Sequence, residues 1–167
     1  LYVADDDGLH LIDPDSFEIL ETHSHGHTPA SGGYSVAVVG GATTDGGLEY
    51  FPPGTAFVSH GTAIRTVPPD GSASSAFGTS ANAVERIYPI ATGASYIFYT
   101  GGSTVYKSVL SSYSEATVIA QQGYRGAISI DRGYVYIPVG NSVKVMNYAT
   151  GAVTSTESSF NYECAAE

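Results

Sequence analysis

Apolar and polar positions alternate with a period of two over short stretches of the chain, and Gly, Pro, Asp or Asn separates each stretch from the next. Residues 2 to 22, YVADDDGLHLIDPDSFEILET, set beside residues 136 to 156, YIPVGNSVKVMNYATGAVTST, agree without gaps at a constant offset of 134. Tyr2 falls on Tyr136, Val3 on Ile137, Leu9 on Val143, Leu11 on Val145, Ile12 on Met146, Asp13 on Asn147, Ile19 on Val153 and Thr22 on Thr156. An internal repeat of this length is a supersecondary unit that buries its apolar face only against its neighbours.

Each copy predicts three short strands. The first (Tyr2 to Ala4; Tyr134 to Val139) turns through polar or Gly residues into a second that alternates (Leu9, Leu11; Val143, Val145). An Asx-type turn, Asp13-Pro14-Asp15 or Asn147 to Gly151, leads to a third (Phe17 to Thr22; Ala152 to Thr156). A further strand, Ala127 to Ile130, precedes the later copy and makes it four-stranded. The same order reads through residues 84 to 120 as VERIYPI, ASYIFYT, STVYKSVL and EATVIA, and through residues 34 to 77 with a Gly-rich insertion. The stretch from Gly40 to Gly47 has neither the Lys nor the following helix of a phosphate loop and reads as a hairpin tip.

Four antiparallel strands per unit is the anatomy of a propeller blade, so the expected fold is an all-β propeller of about four blades. The expected units are residues 1 to 22 completed by 159 to 165, then 34 to 77, 84 to 120 and 126 to 157, within one domain spanning residues 1 to 167. The segment Ser159 to Ala165 has no partner in its own unit and would supply the strand that the first unit lacks. Residues 134 to 156 resemble the YVTN-type β-propeller repeat, residues 2 to 22 resemble a second copy, and the resemblance weakens elsewhere. It implies a secreted or cell-surface propeller, either a small ring or part of a larger one, and says less about chemistry because propellers host unrelated functions.

Composition supports this picture. Hydrophobic residues make up 43% of the 167, enough for a core, and 20 Gly, 8 Pro and 13 Tyr suit strands and turns rather than a helix bundle. With 6 basic against 16 acidic residues the net charge is −10, which leaves no basic face for nucleic acid or an anionic membrane. Seven of the acids, Asp5, Asp6, Asp7, Asp13, Asp15, Glu18 and Glu21, lie in the first unit. The lone Cys164 forms no internal disulfide. No stretch approaches the roughly 18 apolar residues of a membrane helix, and membrane insertion is not expected. The sequence opens on Leu1 inside a strand-like pattern, which reads as a mature or trimmed chain of extracellular, cell-surface or periplasmic location.

Candidate chemistry is sparse. His23, His25 and His27 alternate after the first unit, and imidazoles on one side of an extended segment are zinc or copper ligands, with His10 or His60 completing the set. The competing reading is a polar exposed loop. Asp5, Asp6 and Asp7 on a turn offer oxygens to calcium, although the spacing matches no EF-hand and Asp and Gly are also what a hairpin requires. Tyr96, Tyr99, Tyr106 and Tyr113 read as a sugar-stacking surface or, more simply, as sheet packing. No nucleophile signature is present and no Asn carries a glycosylation sequon. The expected function is a non-catalytic recognition or assembly module for protein or glycan partners, including self-assembly. A metal-binding propeller is the alternative, and a propeller hydrolase or lyase a third reading.

Overall fold

The computed structural model describes residues 1–27, 33–40, 44–45, 48–49, 51–88, 96–102, 104–120, 129–131, 133–139, 142–147, 150 and 152–158. Every regular element among them is a strand. The first sheet holds β1 (Tyr2–Asp5), β2 (Gly8–Ile12) and β3 (Ile19–His23) in that order. The second runs β4 (Tyr34–Val38), β7 (Ala56–His60), β8 (Ala63–Val67) and β9 (Ser75–Thr79), with a small hairpin of β5 (Thr44–Asp45) and β6 (Leu48–Glu49) inserted after β4. β10 (Arg86–Ile87), β11 (Tyr96–Gly101), β12 (Thr104–Val109) and β13 (Glu115–Ala120) form the third. β14 (Ser129–Asp131), β15 (Tyr134–Val139), β16 (Ser142–Asn147) and β17 (Val153–Ser158) form the fourth. All pairings are antiparallel meanders, as the period-two patterning requires.

The repeat in the sequence is a repeat in register. Tyr2 pairs with Leu11 and Val3 with His10, while Tyr136 pairs with Val145 and Ile137 with Lys144, each pair displaced by the same 134 positions. The third strands follow suit, His10 opposite Thr22 and Lys144 opposite Thr156, and both copies carry a bulge at one place, after Leu11 and after Val145. In the two middle sheets the bulge sits nearer the hairpin, after Ile64 and after Val105. A bulge adds twist to the strand that carries it, so the outer strand of every blade bends at a defined point.

The turn that joins the second and third strands is also shared. Asp13 Oδ1 accepts the backbone N–H of Asp15 at 2.8 Å and of Ser16 at 3.3 Å, and Asn147 Oδ1 accepts that of Thr150 at 2.9 Å. Asp13 N–H donates to the Glu18 carbonyl and Asn147 N–H to that of Ala152, again 134 positions on. Phe17, expected at the start of the third strand, instead closes this turn with φ 58°, its N–H on the Asp13 carbonyl and its side chain 75% exposed.

Two cores hold the sheets together. The larger joins the second, third and fourth sheets through Phe57, Ile64, Ile97, Phe98, Tyr99, Val105, Val135, Ile137 and Met146. The smaller joins the first and second: Leu9 with Ala56, Val58 and Val67, flanked by Tyr2, Ala4, Tyr34, Val36 and Val38. β1 lies against β4, and β4 and β7 lie against β10, so at these two junctions the first strand of the later sheet meets the sheet before it. Ile87 N–H donates to Ser35 Oγ at 2.8 Å across the second of these junctions. Tyr99 and Tyr106 are buried and stack at 5.5 Å between ring centres, and the Tyr99 and Tyr113 hydroxyls are 3.0 Å apart, so they serve sheet packing. Segment 159 to 165, expected to complete the first blade, lies outside the described residues. So does Cys164.

Candidate interaction site

The five histidines and the acidic hairpin all lie at or near the junction of the first and second blades. Asp5 closes the β1–β2 turn: its Oδ1 accepts from the N–H of Asp7 and Gly8 and lies 2.9 Å from His10 Nε2. The His10 hydrogen bond, followed by the Asp7 N–H, holds the Asp5 carboxyl below its ordinary range. His10 is buried, and its Nδ1 is 2.9 Å from Thr22 Oγ1 on β3. The imidazole thereby ties all three strands of the blade, and Asp5 acts as its acceptor.

The alternation of the His loop does not place three rings on one side. Gly26 takes φ +69°, which breaks the extended run between His25 and His27. A Cβ there would also collide with Ser74 Oγ and the Arg65 guanidinium. His23, still in β3, pairs with Glu21 at 3.0 Å and lies against Gly71 of the second blade. His25 is buried with Nε2 2.7 Å from the Asp5 carbonyl, and its Nδ1 accepts the His27 N–H at 3.2 Å. His27 Nε2 donates to the Val58 carbonyl at 3.1 Å. Tyr34 stands among these rings, 4.9 Å from His25, 6.2 Å from His27 and 4.5 Å from His60, and its hydroxyl donates to Asp6 Oδ1 at 3.0 Å. Loss of hydration raises the Tyr34 phenol, and the Asp6 carboxylate adds to the effect.

His25, His27, His60 and Tyr34 thus form an aromatic weld between blades one and two, with His10 on the far side of Asp5. Burial is the main reason that the His27 imidazole titrates below its ordinary value, with His25, Arg65 and His60 adding like charge. His60 Nε2 and Arg65 Nε are buried with no hydrogen-bond partner. Among the described residues no group of three or more His, Cys, Asp or Glu is disposed to hold a metal ion. Of the carboxylates proposed for calcium, Asp5 already accepts three donors, Asp6 accepts from Tyr34, and Asp7 is exposed.

A second feature of the first blade escaped the sequence reading. Define the face of a blade that meets the blade before it as incoming, and the face that meets the blade after it as outgoing. Tyr2, Ala4 and Leu9 are outgoing in the first blade and pack on the second. Leu1 and Val3 alternate to the incoming face with Ile12, whose β3 partner is Ile19. Leu1 is 59% exposed, Val3 39% and Ile19 59%. The counterparts of Leu1, Val3 and Ile12 in the fourth blade, Val135, Ile137 and Met146, are buried at 0%, 0% and 1% against the third. The alternation that marks Leu1 and Val3 as core residues is therefore correct for the unit. Leu1 and Val3 pack in neither of the two cores.

No family model matches the sequence, and no curated protein matches it. Among solved structures, the chain is similar to the WD40 domain of SCAP from fission yeast, with a TM-score of 0.60 at 14% identity. The match covers 96% of this chain and 43% of that one, so the chain spans less than half the length of its structural neighbour. The fold is that of β-propeller blades, four antiparallel sheets in series.

Proposed function

We propose that the chain is a non-catalytic propeller module whose work is to bind protein partners within an assembly. One observation carries this reading: the chain folds as antiparallel sheets in series like a WD40 domain, and the first of these sheets leaves Leu1, Val3 and Ile19 exposed. Exposed apolar side chains grouped on one face mark a contact surface. The histidines support it from the other side, since their hydrogen bonds and ring contacts secure the junction of two blades. A location outside the cytoplasm is part of the proposal and rests on the YVTN-like pattern of residues 134 to 156 and on the low charge density of the chain. Metal binding is a second reading with less behind it, because backbone groups engage the ring nitrogens of His25 and Nε2 of His27, and among the described residues no group of three or more ligating side chains is disposed to hold an ion.

Affinity capture from extracts of the source organism tests the reading, with the immobilised wild-type chain beside a Val3→Glu variant. Wild type should retain a protein that the variant loses. Equal retention by both would overturn it.

A further inference from the structure

The last strand of the first blade presents an open edge. β1, β2 and β3 match β15, β16 and β17 at the offset of 134, so the place for a further strand in this sheet is beside β1, where β14 lies against β15 in the fourth. Blades meet on their faces, through β1 on β4 and through β4 and β7 on β10. The outer edge of β3 therefore stays open whatever adjoins β1 or either face of the blade, and among the described residues no strand pairs with it. Leu20, the residue that the bulge leaves without a partner on β2, is 56% exposed, and Phe17, on the turn that leads into the strand, is 75% exposed. Their counterparts in the fourth unit are Thr154 and Gly151. β9, the last strand of the second blade, exposes only Ser75, Ala76 and Thr79 and turns Phe77 onto Phe57 and Tyr113. Asp15, Glu18 and Glu21 flank Phe17 and Leu20 in sequence and are exposed, and among the described residues no Lys or Arg forms an ion pair with any of them. The first Lys or Arg of the sequence is Arg65.

We propose that the outer edge of β3 receives an extended segment of a partner protein that carries basic and apolar side chains, added to the sheet as a further strand. In this mode main-chain hydrogen bonds to the edge supply affinity, and alternate side chains supply specificity. The acids set the sign of the partner. Like charges opposite one another on paired strands are unfavourable, so the same edge of a second copy is disfavoured and a segment with Lys or Arg is favoured. Phe17 is the aromatic anchor, exposed on a left-handed backbone that a glycine would adopt at less cost. This edge is distinct from the face that exposes Leu1 and Val3, and its occupant goes beyond the reading of that face.

Fluorescence anisotropy of a short labelled peptide of alternating Lys and Val, titrated with the purified 167-residue chain, tests this. Wild type should bind it with a dissociation constant of about 100 μM or tighter. A peptide of alternating Glu and Val should not bind. The Lys and Val peptide with every peptide N–H methylated keeps its side chains but cannot donate to a ladder, and should bind at least about tenfold more weakly. Phe17→Gly and Glu18→Lys should each weaken binding by about tenfold, while Val3→Glu should bind as wild type does. Phe17→Gly removes strain, so its loss of binding reads the contact and not the fold. No binding at about 1 mM chain, equal binding of the methylated or the acidic peptide, or unchanged affinity in Phe17→Gly would each overturn the proposal. Loss of binding in Val3→Glu but not in Phe17→Gly would place the peptide on the neighbouring face, defeating this inference and leaving the protein-binding reading standing.

Discussion

Leu1 and Val135 occupy the same position in two copies of one unit, yet Leu1 is 59% exposed and Val135 is fully buried. The difference lies in what stands beside each. Val135 packs in the core that joins the second, third and fourth sheets, and Leu1 packs in neither core.

Phe17 holds a left-handed conformation, φ 58°, on an exposed turn, and the residue that matches it in the fourth unit is Gly151. A non-glycine residue there costs roughly 1–2 kcal/mol, of which the lost chain freedom of a glycine returns part. Phe17→Gly should therefore stabilise the chain by up to about 1 kcal/mol, read as a higher urea midpoint. A lower midpoint would mean that the phenyl ring makes a contact of its own.

Asp13 and Asn147 do the same work through one oxygen each, accepting backbone N–H groups of the turn. Asp13→Asn should keep the melting temperature close to that of wild type at neutral pH, while Asp13→Ala and Asn147→Ala should both lower it. The backbone donors hold the Asp13 carboxyl below its ordinary range. Its contribution is present above the unfolded pKa and is lost as the pH falls through the folded one, so Asp13→Asn should remove part of the acid sensitivity.

The junction histidines give the opposite group chemistry with a related outcome. His27 titrates below its ordinary value mainly through burial, so below about pH 6.5 the unfolded chain takes up more protons than the folded one. Stability should rise with pH through that window, and His27→Gln should flatten the rise. His60 differs, since its Nε2 has no acceptor while its ring stacks on Tyr34. His60→Phe keeps the stack and removes the orphan nitrogen, and should melt at or above wild type. His60→Ala should melt below it.

Gly78 lies under the Tyr113 ring, and a Cβ there would overlap it. Tyr113 cannot retreat without leaving the edge of Phe77, 5.5 Å away, and the Tyr99 hydroxyl at 3.0 Å. Gly78→Ala should destabilise by about 1–3 kcal/mol in chemical denaturation. Phe57→Ala, at the centre of the same core, should cost about 3–5 kcal/mol.

Much of this was legible in the sequence because it is local. The offset of 134 fixes strand register, bulge position and the Asp13 and Asn147 turns in both copies, since each follows from alternation and turn chemistry within some twenty residues. The Gly40 to Gly47 stretch read as a hairpin tip holds β5, which pairs with β6 just beyond it. Of the strand read from Val84 to Ile90, residues 84 to 88 are described, and Arg86–Ile87 pair with β11. The histidine loop was misread in its geometry, because alternation predicts a common side only for an extended backbone and Gly26 is not extended. Tyr34 joins the cluster from another strand, which spacing does not reveal. Likewise Leu1 and Val3 carry a core pattern, yet both are exposed, because alternation sets which face a side chain takes and not what lies against that face.

Protein contact at the exposed face that carries Val3 is the central claim, and thiol labelling of Val3→Cys in a Cys164→Ser background measures it directly. Labelling should run at the rate of an exposed thiol for the purified chain, as the exposure of Val3 requires, and should slow when the protein retained on the wild-type chain is added. A thiol at position 3 that labels at the exposed rate with that protein bound would contradict the account.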